Sequence, residues 1–93
     1  MNYRQQVLAT WDPTLTDEER YLRAFAFLGI YASSCEDLAY DVVNHGDIMD
    51  IEELTRNLAK VRYSLESVLA LYGINMQELE DKSIQLYMEK GAK

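Results

Sequence analysis

The 93 residues are 48% hydrophobic and 27% charged, a composition that fits one globular domain and excludes an intrinsically disordered chain. The net charge of -7 works against sequence-independent nucleic-acid binding, which needs clustered Lys and Arg facing the phosphates. The chain has no apolar run of about 18 residues and no basic, apolar leader, which points away from a membrane span or a secretory signal and towards the cytoplasm.

A domain of this length buries only about 60 to 65% of the surface its unfolded chain exposes, so a core shared between subunits is expected. The single cysteine, Cys35, cannot close an internal disulfide or build a zinc cluster, and it reads as a buried thiol on an apolar helix face.

In chain order, Asn2 caps a short helix from Tyr3 to about Thr10, with Tyr3, Val7 and Trp11 on one side. Asp12-Pro13 breaks it. Thr16 with Glu19 forms a capping box, and Asp17, Glu18 and Glu19 complement the dipole of a long helix from about Asp17 to Val43. Leu22, Phe25, Leu28, Ala32, Cys35, Leu38 and Val42 give its expected inner stripe, and Gly29 marks a site for a kink. Asn44-His45-Gly46-Asp47 reads as a turn, in which His45, the one histidine, is a loop residue without a chemical role.

The cleanest helix follows. Asp50 and Glu53 suit a capping box, Gly73 suits a left-handed stop, and Ile51, Leu54, Leu58, Val61, Leu65, Val68 and Tyr72 keep one apolar stripe between them. Asn75 and Glu78 cap a last helix whose inner face is Met76, Leu79, Ser83 or Ile84, and Leu86 or Tyr87. Residues 90–93 read as a fraying tail. No segment alternates with period two, so the fold class is all-α, one short helix and three longer ones in a four-helix bundle.

Magnesium-dependent chemistry on phosphates needs carboxylates three or four residues apart on facing helices. Asp47, Asp50 and Glu53 have that spacing, as do Glu78 with Asp81 and Asp37 with Asp41. The first two sets sit at helix starts, where acids cap and offset the dipole, and the third lies on a solvated face; those structural roles are preferred over a metal site. Arg56 and Lys60 stack like charges at i and i+4, with Glu52 one turn before Arg56 to form an ion-pair ladder; with Arg62 they are alternatively a phosphate or partner-acid patch. No Walker loop, Rossmann glycine pattern, Cys-x-x-Cys, HExxH or GxSxG occurs. Seven tyrosines and Trp11 suit either base stacking or amphipathic packing.

The order of these features resembles the MazG-like all-α nucleoside triphosphate pyrophosphohydrolases. That family has a short first helix, a helix with a Gly-Leu pair and Glu-x-x-Glu, a helix with Glu-x-x-Asp before a Gly-Ile stop, and a final helix. Gly29-Ile30 is similar to the pair and Gly73-Ile74 to the stop, while Asn57 to Ile74 aligns without a gap on the central helix, matching at Leu58, Val61, Tyr63, Leu65 and Leu69. Met76, Leu79 and Ile84 continue the likeness, which spans about Tyr3 to Lys90.

The departures fall on the chemistry. The resemblance places the four metal-ligand positions on Ser33, Glu36, Asn57 and Lys60, of which one is acidic, and later Asn and Lys positions on Ser83 and Leu86, with a basic residue kept at Lys90. One carboxylate beside an ammonium cannot hold magnesium. The implied outcomes are a Glu36–Lys60 ion pair in a disused pocket, or direct phosphate binding by Lys60 with Arg56 or Arg62. The expected function is thus a non-catalytic MazG-like homo-oligomer that binds a nucleotide-type phosphate ligand or a protein partner through Ser33, Glu36, Arg56, Asn57 and Lys60, without metal or other cofactor. The alternatives are a divergent pyrophosphohydrolase using magnesium on Glu36 with Asp37, Asp41 or Glu53, and a structural or regulatory helical module with a Tyr-rich interface.

Overall fold

The computed structural model describes residues 1–89, so Lys90 and the expected tail lie outside the described residues. The described residues form four helices and no strand: α1 (Tyr3–Ala9), α2 (Asp17–His45), α3 (Ile51–Leu71) and α4 (Met76–Glu89). No helix among them is long and apolar enough to cross a membrane.

Local chemistry sets the helix ends. Asn2 and Gln5 exchange bonds in a capping box, as do Thr16 and Glu19. Asp50 accepts from the Glu53 backbone N–H at 3.0 Å, whereas the Glu53 carboxylate turns instead to Arg56. At the end of α3, Gly73 adopts φ 66°, the Ile74 N–H reaches Leu69 O at 3.0 Å and the Gly73 N–H reaches Ala70 O at 3.4 Å, the paired bonds of a Schellman stop. Asn75 accepts from the Glu78 N–H at 2.7 Å to start α4.

The end of α2 differs from the expected one. The helix runs through Gly29 and continues two residues past Val43 to His45 because Gly46, at φ 67°, supplies the left-handed cap. His45 is therefore the last residue of a helix rather than part of a turn.

α2 and α3 make the principal interface and α1 packs on α3. The buried residues are mostly small or polar, Val7, Ala24, Asn57, Ser64, Glu66 and Ser67, with Leu69 the one large apolar side chain among them. The expected inner stripe of α2 is kept in its C-terminal half, where Leu28, Cys35, Leu38 and Val42 are half-buried together with Tyr31. Ala32 is exposed, and nearer the start of the helix Ala24 turns inward while Leu22 and Phe25 stay 72% and 49% exposed. Cys35 is a free, half-buried thiol rather than a fully buried one. On α3, Leu54, Val61, Leu65 and Val68 are half-buried, but Ile51, Leu58 and Tyr72 remain exposed. Tyr72 rests against Tyr21 and Phe25, with ring centres 5.7 and 6.1 Å away.

The expected inner face of α4 does not pack within the chain. Met76 and Leu79 are half-buried, whereas Ser83, Ile84, Leu86 and Tyr87 are exposed. The radius of gyration, 15.9 Å, exceeds the roughly 12 Å of a compact chain of this length.

A buried carboxylate joins three segments. Glu66, 3% exposed, accepts from Arg4 Nε at 2.5 Å and from Arg62 Nη1 at 2.8 Å. Arg4 Nη2 also donates to Ile74 O, and the Arg62 guanidinium lies 4.4 Å from the centre of the Tyr3 ring. α1, α3 and the connection to α4 meet in this clasp. Burial pushes the Glu66 carboxyl pKa up, but the hydrogen bonds from Arg62 and Arg4, with their charges, outweigh it and hold the group below its ordinary 4.5. A lowered folded-state pKa contributes stability that is present above the unfolded value and is lost as pH falls through the folded value. Acid titration of the wild type, followed by circular dichroism, is expected to lose stability below about pH 4.5, and Glu66→Gln to lack that component. At neutral pH Glu66→Gln is expected to lose about 2 kcal/mol, read as a melting temperature lower by roughly 10 °C.

Candidate functional site

The groove between α2 and α3 has a volume of about 410 Å³ and is lined by Phe27 and Tyr31 from α2 and by Arg56, Ala59, Lys60, Tyr63 and Ser64 from α3. Its wall is mainly aromatic, and its charges are both positive. Helical spacing explains the grouping: Phe27 and Tyr31 are four apart, as are Arg56 and Lys60, and Lys60 and Ser64, so each set projects from one side of its helix.

Lys60 Nζ stands 4.9 Å from the centre of the Tyr31 ring, a cation–π contact, and the Phe27 and Tyr31 ring centres are 5.9 Å apart at 40°. Arg56 pairs with Glu53 at 2.8 Å, not with Glu52. With both partners about half exposed, that pair is worth only tenths of a kcal/mol and yields readily to an incoming anion. Tyr63 closes one end of the groove. Thr10 Oγ1 donates to Val7 O at 2.6 Å, which leaves the Tyr63 hydroxyl as the donor to Thr10 Oγ1 and fixes the tyrosine against the end of α1.

The five residues expected to bind a ligand divide here. Arg56 and Lys60 line the groove, whereas Asn57 is buried on α3 and is not part of the lining. Ser33 and Glu36 are exposed on α2 and do not line it. The reason is angular: α2 turns Tyr31, Cys35 and Leu38 inward, and Ser33 and Glu36 lie well round the helix from that line. No Glu36–Lys60 pair is among the ion pairs of the described residues; Lys60 faces an aromatic ring instead. Arg62 is committed to Glu66 and Tyr3, away from the groove. Glu36, Asp37 and Asp41 are exposed on α2 while Glu53 is held by Arg56, and among the described residues no three His, Cys, Asp or Glu side chains gather closely enough to hold a metal ion.

Phe27, Tyr31, Ala59, Tyr63 and Ser64 are the groove residues that spacing alone did not single out. The available signal was the aromatic pair at i and i+4 on α2; which cations it would face depended on the pairing of the helices.

Comparison with family models, with curated proteins and with solved structures finds no match to the chain. The groove therefore stands on its own chemistry. Because Tyr63 is anchored by one hydroxyl, Tyr63→Phe is expected to cost about 1 kcal/mol in a urea melt while leaving the helical signal intact.

Proposed function

We propose that the chain is a non-catalytic, MazG-like helical protein that binds a nucleotide-type phosphate ligand in the α2–α3 groove. The observation that carries this reading is the placement of Arg56 and Lys60 beside the rings of Phe27, Tyr31 and Tyr63 in one groove. Its volume of about 410 Å³ suits a small organic ligand. The cations meet phosphate oxygens and a ring face takes the base, a stacking contact worth about 1 to 3 kcal/mol. A base that stacks on Tyr31 displaces Lys60 from that ring and leaves its ammonium to the phosphates. In a chain of net charge -7, this local pair of cations is what favours an anion in this groove. The succession of one short helix, two long ones and a fourth supports the MazG-like part of the reading.

The bundle in this proposal is completed by a second copy of the chain. The chain exposes 7000 Å², against about 5,500 Å² for a compact monomer of its mass, an excess of about 1,500 Å² that is larger than the roughly 800 Å² each partner buries in a standard interface. Ile48, Ile51, Leu58, Ile84 and Tyr87 contribute exposed apolar surface that a second copy would cover. The same surface supports, as a second reading, a helical interaction module whose partner is another protein. A magnesium-dependent pyrophosphohydrolase built on Glu36 with Asp37, Asp41 or Glu53 has less support, since those carboxylates do not converge among the described residues.

Thermal-shift measurements with nucleoside mono-, di- and triphosphates in metal-free buffer test the ligand. At ten times its Kd a ligand stabilises by about 1.4 kcal/mol, a rise of roughly 5 to 10 °C, and Lys60→Glu is expected to abolish it. No rise with any nucleotide leaves the interaction module, and magnesium-dependent pyrophosphate release overturns the non-catalytic reading. Sedimentation equilibrium is expected to show a dimer or larger assembly that Leu58→Glu disrupts; a wild-type monomer at high micromolar concentration refutes the shared bundle.

A further inference from the structure

A second cleft lies on the other side of Tyr63. Its lining includes Trp11, Leu15, Arg20, Arg23, Ala24 and Ser67, and its volume is about 160 Å³. An apolar cavity of about 150 Å³ accepts benzene, so the space suits a ring-sized body. The walls from Trp11, Leu15 and Ala24 are apolar, Arg20 and Arg23 supply two guanidinium groups, and the Asp12 carboxylate also lines the cleft.

Arg20 carries an unmet demand. Its Nε is buried and has no hydrogen-bond partner. Its other contacts are long: Nη1 to Asp17 at 3.5 Å and Nη2 to the Asp12 carbonyl at 3.4 Å. The guanidinium carbon lies 5.9 Å from the centre of the Trp11 ring. A buried donor without an acceptor costs about 1 to 3 kcal/mol, so an acceptor that reaches it recovers that energy. Nε–H and Nη2–H form the side edge of the guanidinium, the edge that takes both oxygens of a carboxylate in parallel bonds. Contacts of 3.4 and 3.5 Å hold the guanidinium only loosely in its present orientation. Arg23 adds a second positive charge and has no ion-pair partner among the described residues. Asp12 is exposed, and its Oδ1 is already held by the Thr14 N–H at 2.9 Å and hydroxyl at 2.6 Å.

We propose that this cleft is a binding site for a small monocarboxylate with a flat apolar body, held by the Nε–Nη2 edge of Arg20 and the charge of Arg23, with its body against Trp11. The site is separate from the α2–α3 groove, and the two share only Tyr63 as a wall. A carboxylate is favoured over inorganic phosphate because the lining pairs one bidentate edge with apolar walls and lacks the dense ring of donors a dianion needs.

Trp11 is the only tryptophan, so its fluorescence reports on this cleft. Titrating the full-length protein with benzoate is expected to change Trp11 emission saturably, whereas benzyl alcohol and inorganic phosphate do not. Arg20→Lys keeps the charge but removes the fork and is expected to weaken benzoate roughly tenfold. Arg23→Gln, at an exposed position that tolerates substitution, is expected to weaken it less and serves if the Arg20 variant fails to fold. Lys60→Glu is expected to leave benzoate binding unchanged, which keeps this result distinct from the fate of the nucleotide proposal. Equal binding of benzyl alcohol, unchanged affinity in a folded Arg20→Lys or Arg23→Gln variant, or no saturable response to benzoate overturns the assignment.

Discussion

The arrangement of the helices depends on a carboxylate where an apolar side chain would be more usual. Glu66 is 3% exposed and is held by two arginines, one on α1 and one a turn earlier on α3. A buried ion survives only when partners satisfy its lone pairs, and here Arg4 and Arg62 each take one oxygen. Arg4 also donates to Ile74 O, so the same contact that seats α1 holds the chain where it leaves α3. An apolar residue at position 66 would pack, but it would not specify which face α1 takes. The charge supplies direction to an interface that is otherwise small.

The clasp also determines what is left for the groove. With Arg62 held by Glu66 and stacked over Tyr3, the cations facing the α2–α3 groove are Arg56 and Lys60. α1 then places Thr10 against the Tyr63 hydroxyl, and Tyr63 divides the interhelical space into two clefts. One cleft is bounded by Phe27, Tyr31, Arg56 and Lys60, and the other by Trp11, Arg20 and Arg23. Each combines aromatic surface with two positive charges in an acidic protein, and the second also has the Asp12 carboxylate in its lining.

The sparse interior has a consequence for assembly. Val7, Ala24 and Leu69 are the buried hydrophobic residues, while Ile48, Ile51, Leu58 and most of the apolar face of α4 remain open. Burial at about 25 cal/mol per Å² is the main source of folding energy, so a chain that leaves these residues in water forgoes several kcal/mol that a partner surface can restore. The apolar stripe on α3 is therefore divided between contacts inside the chain and surface available to another.

Much of the fold was legible in the residues themselves. Helix ends are local events: Asn2, Thr16, Asp50 and Asn75 cap, and Gly73 stops, because a side-chain oxygen or a missing Cβ acts within a few residues of where it sits. Even there Gly46, three residues past the expected end of α2, overrode the turn signal of Asn44 and His45. Which faces meet was decided by tertiary structure. A three-or-four spacing marks an apolar stripe but not what covers it, and α2 buries Ala24 while leaving Leu22 and Phe25 exposed. The pairing of α2 with α3 leaves Ser33 and Glu36 outside the groove and places Tyr31 before Lys60, an outcome no local pattern encodes because it depends on two helices at once. The sequence by itself determined four capped helices and the Arg56 and Lys60 pair; only the packing of α2 and α1 onto α3 decided that this pair faces aromatic rings and that Glu66 gathers Arg4 and Arg62 where α1 meets α3.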